Sequence, residues 1–515
     1  MLLGLLGLVV GWQAFRFLCD DAFIDFRYVA NARAGFGLVW NLPPFQPVEG
    51  YTSLLWVLIL WAAWALTGLD PTRTADWLGL LFSTGSLLLT ARWALRVLGG
   101  EASPARRAML LGLVLGGTLT NRTFLAWTSS GLETPLWTFL LLGWADAMWT
   151  ARRSVGVWAM LLCLTRPDGI LFAGATAVGV VGGAGAWRTL LPLLLVPAHL
   201  LWRHEVYGQW VPNTAFAKVT AAWPEAGIRY LAAFVLEYAW WLAPVLVATL
   251  GLAAVREARI GRAHIVVGLA FLAHFAWYTF WVGGDHFEFR IYAHLIPLGW
   301  LLLLGLLWRS RGAVPALATQ LALSLPIPWA HFAATQGPGP TGQVHEIVVP
   351  VAPLLPAPLS TLAGPWDELQ AWLIPHYIGV RHQEHKAFAL GTRSVFGPRR
   401  GEPSLDPDNI PVFSAISIGI AGWTLPTVAV IDPCGLVDAV VARNPNLRPG
   451  DRMAHQRQPP EGYVECFQPD VGFAGDRLMR QPRASSLTAE DVTRCEGQFW
   501  AAAGLDRLSE GTAAR

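Results

Sequence analysis

Charged residues are scarce in this chain, and that scarcity excludes most soluble folds. Of its 515 residues, only 14% are Asp, Glu, Lys or Arg, 54% are hydrophobic, and the mean hydropathy is +0.42. This composition predicts a polytopic membrane protein. The net charge of +2 and the lack of basic runs interleaved with aromatic residues give no sign of nucleic-acid binding.

Cysteine is also scarce, with five residues and no CxxC spacing. A zinc site is therefore not expected. Cys434, Cys466 and Cys495 fall in the polar C-terminal part of the chain. If that part is extracytoplasmic, one disulfide can form among the three, and we expect Cys466–Cys495 because it closes a modest loop.

Long apolar runs are confined to residues 1–335, whereas residues 336–515 are polar and rich in Pro, Gly, Arg and Asp. We therefore expect a helical membrane domain over 1–335 and a soluble α/β domain over 336–515. The first run lacks a basic start and a small-residue cleavage site, so we expect it to be retained. Twelve runs could cross the membrane: 1–18, 52–68, 77–98, 106–120, 133–150, 154–166, 168–185, 189–203, 237–254, 262–281, 291–308 and 313–333.

Basic residues in short loops indicate the orientation. Arg152 with Arg153, the cluster 256–262 and the cluster 309–311 are expected on the cytoplasmic side by the positive-inside rule. The polar loops between them, and the C-terminal domain, then face the opposite side of the cell membrane. This arrangement needs an odd number of crossings, whereas twelve runs were counted. We therefore expect 11 or 13 crossings, reached by demoting or splitting one run, and we expect the miscount to lie within 69–120.

The first loop opens with two adjacent carboxylates, Asp20 and Asp21, where an apolar run leaves the membrane. Ionisable groups at such positions are candidates for function. An amphipathic helix along the membrane surface is expected over 22–34, followed by a turn-rich return. The loop also carries Asp25, Arg27, Glu49 and Tyr51.

Four later loops carry the remaining polar groups of the membrane domain. They are SSGLETPLW (129–137), LTRPDG (164–169), YGQWVPNTAFAK (207–218) and GGDHFEFR (283–290). The third loop ends with Lys218, the only lysine in residues 1–335. Each motif has a plain structural reading: a solvated turn, a helix break with a local ion pair, or a lysine that extends to the interface.

Together, the loops give one membrane face carboxylates that can deprotonate a hydroxyl and cations that can hold a phosphate. A catalyst that joins a hydroxylated acceptor to a lipid-phosphate donor needs both.

The motif order resembles the C-type fold of membrane glycosyltransferases, which use polyprenyl-phosphate sugars. DDAFIDFRYVANARAGFGLVWN, VEGYTSLLW and the four later motifs resemble the group that contains the mycobacterial terminal arabinofuranosyltransferase and flagellar-motor-control membrane proteins. The resemblance continues at VAVIDPCGLVDAVVAR (428–443) and RMAHQRQPPEGY (452–463). The sequence departs from the pattern of this group in two ways. Its soluble domain is shorter than that of the mycobacterial enzyme, and Pro433 and Cys434 interrupt the apolar stretch expected between Asp432 and Gly435.

The resemblance implies that Asp20 and Asp21 are the acidic pair, one the base and the other its partner, and that Lys218 binds the donor phosphate. We expect Arg290, Arg166 and His286 to assist Lys218. A divalent cation, Mg or Mn, would be held by Asp20, Asp21, Asp285 or His286. The expected partners are a polyprenyl-phosphate sugar and a glycan or glycolipid acceptor. We expect substrate contacts from Asp25, Arg27, Glu49, Tyr51, Glu133, Asp168, Asn213, Asp285 and Glu288.

Two other functions stay open. A lipid-substrate transporter should show inverted repeats around a midplane site, and the sequence shows no matching halves. A non-catalytic assembly protein could keep the fold and lose the chemistry, but a degraded acidic pair would then be expected, and the pair is intact.

Overall fold

The computed structural model describes residues 1–505 except 182, 184–185, 219–220, 258–259, 336–347, 449, 451 and 476. The membrane domain contains nineteen helices within this part of the chain. They are α1 Leu2–Phe15, α2 Ala22–Arg33, α3 Leu54–Thr67, α4 Pro71–Leu98, α5 Pro104–Leu119, α6 Arg122–Trp127, α7 Thr134–Trp149, α8 Val155–Thr165, α9 Ile170–Val180, α10 Ala186–Leu190, α11 Leu195–Tyr207, α12 Asn213–Lys218, α13 Pro224–Glu237, α14 Leu242–Leu246, α15 Leu252–Glu257, α16 Arg262–Ala276, α17 Leu295–Leu307, α18 Ala313–Leu323 and α19 Pro326–Ala334.

The C-terminal region combines helices with two small sheets, as its sequence predicts. Its elements are α20 Leu359–Leu373, α21 His382–Phe396, β1 Val412–Ser414, α22 Gly419–Thr424, β2 Ala429–Ile431, α23 Ala439–Arg443, α24 Tyr463–Cys466, β3 Val471–Ala474, β4 Arg477–Arg480 and α25 Ala489–Ala502. Strands β1 and β2 are parallel, and β3 and β4 are antiparallel. The disulfide Cys466–Cys495 is present, which confirms the predicted pairing.

The two regions share one hydrophobic core, which extends from Leu8 to Met453. Helix α20 packs on α13, and α22 packs on α2. The predicted boundary between residues 335 and 336 borders the stretch 336–347, which lies outside the described residues, so the boundary stays a prediction.

The helices of the membrane domain have two chemically different ends. At one of them, which we call the basic end, Arg96 pairs with Asp146 at 2.5 Å, and Arg106 donates to the carbonyls of Trp308 and Ser310 at 2.7 and 2.6 Å. The opposite end, which we call the loop end, carries the predicted polar loops. The peptide nitrogen of Cys19, for example, donates to the carbonyl of Ser130 at 3.0 Å.

Helix α3 has both of its ends at the loop end. The hydroxyl of Ser53, just before α3, donates to Asp25 of α2 at 3.1 Å. Near the other terminus of α3, Trp64 lies under the guanidinium of Arg33 at 4.7 Å and beside Trp423 of the C-terminal region at 6.2 Å. The helix therefore runs along α2 instead of crossing the domain.

This arrangement makes the predicted crossing over 52–68 wrong. The run is apolar enough to cross, but tertiary contacts hold both ends on one side. Helix α4 then starts at the loop end, where Asp76 pairs with Arg16, and ends among the arginines of the basic end. Of the twelve predicted runs, eleven remain, which satisfies the parity that the orientation requires.

By length and composition alone, four helical stretches in the described residues can cross a membrane: Pro71–Leu98, Arg262–Val282, Arg290–Leu307 and Ala313–Ala334. A fifth crossing is available if Pro224–Glu237 and Leu242–Gly251, bent by 60°, form one span. The other crossings rest on shorter helices, so the total of 11 to 13 stays a prediction.

The sequence reading missed helix α13, because its Glu225, Arg229 and Glu237 interrupt the apolar pattern. Glu237 is buried and pairs with Arg381 of the C-terminal region at 2.6 Å. Helix α13 therefore supports the C-terminal region.

Candidate active site

Helix α2 has the predicted bounds but not the predicted surroundings. Nearly all of its residues are buried, including Asp25, Arg27 and Asn31. The guanidinium of Arg27 donates to the carbonyls of Gly422 at 2.6 Å and Val428 at 2.9 Å in the C-terminal region. The prediction of a helix lying on the membrane surface is therefore wrong, because the C-terminal region covers it.

Asp20 connects the first loop to the C-terminal region. Its two carboxylate oxygens accept the peptide N–H groups of Ile420 at 2.9 Å and Gly419 at 3.2 Å. A β-carbon on Gly419 would lie 1.9 Å from the carbonyl oxygen of Asp20, so only glycine allows this approach. Burial raises the pKa of Asp20 to about 7, and the charge of Asp21 adds to that effect.

Asp21 is placed differently from its neighbour. It precedes the first turn of α2 but makes no side-chain cap, and within the described residues its half-buried carboxylate has no hydrogen-bond or ion-pair partner. Its charge acts on Asp20, Asp25 and His455. Asp21 is thus the member of the acidic pair whose carboxylate has no partner among the described residues.

Lys218 is a second charged group without a partner in the described part of the chain. It is the last residue of α12 and half-buried, and in the part of the chain that is described its ammonium group has no partner. Its charge acts on Asp25 and His455, the same two groups that Asp21 influences. Two residues about 200 positions apart in the sequence therefore act on the same two side chains.

The predicted arginines lie nearby but are already paired. Arg166 contacts Glu133 at 2.7 Å and Asp168 at 3.1 Å. Arg290 contacts Asp285 at 2.8 Å, and its charge also acts on Glu133. Both guanidiniums add positive charge to the loop end, but each is already paired with a carboxylate.

The other predicted substrate-binding residues make contacts within the protein. The carboxylate of Asp25 accepts the hydroxyl of Ser53, that of Glu49 pairs with Arg203 at 2.5 Å, and the hydroxyls of Tyr51 and Tyr207 lie 3.1 Å apart.

Asn213 fixes the start of α12, which carries Lys218. Its amide nitrogen donates to the carbonyls of Gly435 and Asp438. Arg443 donates to the amide oxygen of Asn213 at 3.0 Å. The motif IDPCGLVD thereby positions the helix that ends in Lys218.

Glu288 belongs to a buried ion-pair network. It lies 3.1 Å from both Arg122 and Arg381 and accepts the peptide N–H of His382 at 2.9 Å. This network joins the motif GGDHFEFR to the C-terminal region. In the same motif, His286 Nδ1 lies 2.8 Å from the carbonyl oxygen of Tyr377.

Two of the four predicted ligands for a divalent cation are engaged within the protein. Asp20 binds two peptide N–H groups, and Asp285 is paired with Arg290. Across the described residues, no group of three or more His, Cys, Asp or Glu side chains is arranged to hold a metal ion. We therefore derive no step through a metal.

His455, on which the charges of Asp21 and Lys218 both act, is not among the site residues predicted from the sequence. Its signal was the motif RMAHQRQPPEGY, whose resemblance to the same group is weaker than that of the first loop.

Most of the chain shares its fold with a solved structure. The crystal structure of ArnT from Cupriavidus metallidurans bound to undecaprenyl phosphate superposes with a TM-score of 0.54 at 13% identity, covering 85% of this chain and 86% of that one. This likeness confirms the predicted fold class. No protein-family model matches the chain.

Two curated relatives confirm the resemblance read from the motifs. Both are named terminal beta-(1->2)-arabinofuranosyltransferase. The protein of Corynebacterium glutamicum is 28% identical over 349 residues, which are 58% of this chain and 49% of the relative. The protein of Mycobacterium tuberculosis is 30% identical over 267 residues, or 47% and 41%. The chain thus spans about half or less of the relatives it matches.

Proposed function

We propose that this protein transfers a sugar from a polyprenyl-phosphate donor to a hydroxyl of an envelope glycan or glycolipid. The observation that carries the proposal is a pair of opposite charges at the loop end, Asp21 and Lys218, which have no partner among the described residues and both act on Asp25 and His455. The names of the two relatives support the reaction class. Arabinofuranose is the donor sugar we propose first, for the same reason.

In the proposed reaction, the acceptor oxygen bonds to the anomeric carbon as the bond from that carbon to the phosphate oxygen breaks. Asp21 takes the hydroxyl proton, a contribution of about 100- to 10,000-fold. The bonding electron pair stays with the polyprenyl phosphate. Lys218 offsets the charge that grows there, while the paired Arg166 and Arg290 keep the surroundings positive.

Asp20 acts in this scheme as a positioning residue. Its carboxylate holds the first turn of α22 and so fixes the C-terminal region over the first loop. Loss of Asp20 therefore disturbs the position of Asp21 but does not remove the base.

We also propose that the loop end and the C-terminal region face the outside of the cell membrane. The arginines of the basic end fit the cytoplasmic side. The disulfide Cys466–Cys495 fits an oxidising compartment.

The test is a transfer assay with purified protein in lipid nanodiscs, supplied with polyprenyl-phosphate arabinofuranose and other polyprenyl-phosphate sugars. We expect wild type to turn over a donor and Asp21→Asn to lose at least about 100-fold in rate. The matched control is Asp408→Asn, an exposed carboxylate in the C-terminal region. Failure of wild type to bind or use any donor contradicts the proposal.

A further inference from the structure

The segment from Arg452 to Arg457 brings part of the C-terminal region to the proposed site. Arg457 donates to the carbonyl oxygen of Phe216 in α12 at 2.9 Å, two residues before Lys218. The peptide N–H of Met453 donates to the carbonyl of His376 at 2.9 Å. The segment is therefore held at one end by α12 and at the other by the stretch around His376.

At the centre of this segment, His455 lies against the motif GGDHFEFR. Its ring is 5.3 Å from the ring of His286 and 5.3 Å from that of Tyr377. Ala454, directly before it, has φ of +60° and Tyr377 has φ of +59°. Left-handed backbone at non-glycine residues is costly and collects at functional sites.

The hydrogen bond of His455 fixes the tautomer of its ring. Its Nδ1 lies 2.8 Å from the carbonyl oxygen of Met453, and a carbonyl can only accept, so Nδ1 carries the hydrogen. Burial lowers the pKa of His455, with opposing contributions from the Met453 hydrogen bond and Asp21, so the ring is neutral. Its Nε2 is then a hydrogen-bond acceptor with no protein partner among the described residues.

The contact of Arg457 with Phe216 places the segment of His455 beside the helix that ends in Lys218. Asp21 and Lys218 both influence its ring. In the proposed reaction, Asp21 lies by the attacking hydroxyl and Lys218 by the departing phosphate, so the donor sugar lies between them. In that arrangement His455, on which both charges act, lies beside the sugar.

We propose that His455 is a substrate-binding residue whose Nε2 accepts a hydrogen bond from a hydroxyl of the donor sugar. This inference rests on the proposed transfer reaction. It adds a contact from the C-terminal region, so the site is complete only when that region is docked.

The competing structural role is that Nδ1 of His455 merely holds the turn at Met453. Two substitutions separate the roles, because an asparagine amide reaches the position of Nδ1 and a glutamine amide reaches that of Nε2. His455→Asn keeps the bond to Met453 and loses the acceptor at Nε2. His455→Gln keeps an acceptor there and loses the bond to Met453. The matched control is His376→Gln, a nearby histidine whose Nδ1 also faces a carbonyl, that of Trp372.

The measurement is kcat/KM with polyprenyl-phosphate arabinofuranose in nanodiscs, together with the thermal unfolding midpoint of each variant. We expect His455→Asn to lower kcat/KM about 10- to 100-fold at an unchanged midpoint. His455→Gln and His376→Gln should stay within about threefold of wild type. An active His455→Asn with an inactive or unstable His455→Gln overturns the inference in favour of the structural role. Equal activity of wild type, His455→Asn and His455→Gln also overturns the inference.

Failure of the proposed function gives a different result. Wild type then neither turns over this donor nor is stabilised by polyprenyl phosphate, whatever residue occupies position 455. That outcome overturns both proposals, whereas loss of activity in Asp21→Asn with a fully active His455→Asn overturns only the role of His455.

Discussion

Asp20 and Asp21 are neighbours in the sequence with different roles in the structure. Asp20 binds two peptide N–H groups of the C-terminal region, and Asp21 is unpaired among the described residues. The sequence identified the pair but left the base unassigned, because only the fold brings Gly419 and Ile420 to Asp20. Nothing in positions 15–25 indicates that contact.

The raised pKa of Asp20 predicts a pH dependence of stability. Its folded-state pKa is about 7, above the ordinary value of 3.8, because burial disfavours the charged form. The folded state thus binds the proton more tightly than the unfolded state, and this contribution is lost as pH rises from about 4 to about 7. We expect the unfolding midpoint of wild type, relative to Asp20→Asn, to fall as pH rises from about 4 to about 7. A constant difference contradicts this expectation.

Lys218 allows a second prediction at the scale of single residues. Replacing it with Met removes the free cation, and we expect kcat/KM for the lipid-phosphate donor to fall about 10- to 100-fold. Lys218→Arg should keep part of the activity. The chain has one other lysine, Lys386 in α21, and Lys386→Met is the matched control. Equal losses in Lys218→Met and Lys386→Met would mean that the effect is not specific to the site.

At the scale of elements, the sequence predicted the bounds of α2 but neither the burial of α2 nor the course of α3. The composition of α3 is that of a membrane span, and only the contacts of Ser53 and Trp64 show that the helix turns back. Arg27 was likewise predicted to bind substrate, because the neighbouring sequence does not indicate that its guanidinium donates to carbonyls of the C-terminal region. Long-range packing decides these features, and hydropathy does not report it.

Arg27 joins α2 to α22, and its removal tests that junction. Arg27→Met leaves the buried carbonyls of Gly422 and Val428 without their donor. We expect a loss of more than about 3 kcal/mol, seen as a lower unfolding midpoint. Arg33→Met, at the exposed end of the same helix, should change little. Similar midpoints for the two variants would show that Arg27 does not hold the junction.

At the scale of the whole molecule, the two ends of the membrane domain predict an orientation. In right-side-out vesicles, an impermeant maleimide should label Asp408→Cys directly and Ser154→Cys only after permeabilisation. Both positions are exposed, and unsubstituted protein gives the background from Cys19, Cys163 and Cys434. The opposite labelling pattern contradicts the proposed placement of the site outside the cell.

The proposed reaction uses two distant parts of the chain, the acidic first loop and the cation at the end of α12. The sequence supplied both through separate motifs, and the fold places them together because Asn213 anchors α12 on the motif IDPCGLVD. Among the described residues, Asp21 and Lys218 have no partner, and His455 is the third group that we place at the site. The paired groups around them, such as Glu288 and Arg166, hold the loops in place.

The most direct measurement is sugar transfer from polyprenyl-phosphate arabinofuranose by purified protein in nanodiscs, compared among wild type, Asp21→Asn and Asp408→Asn. The account predicts product with wild type and Asp408→Asn, and at least about 100-fold less with Asp21→Asn, although Asp21→Asn still binds the donor. Undiminished transfer by Asp21→Asn, or no transfer by wild type with any polyprenyl-phosphate sugar, would contradict it.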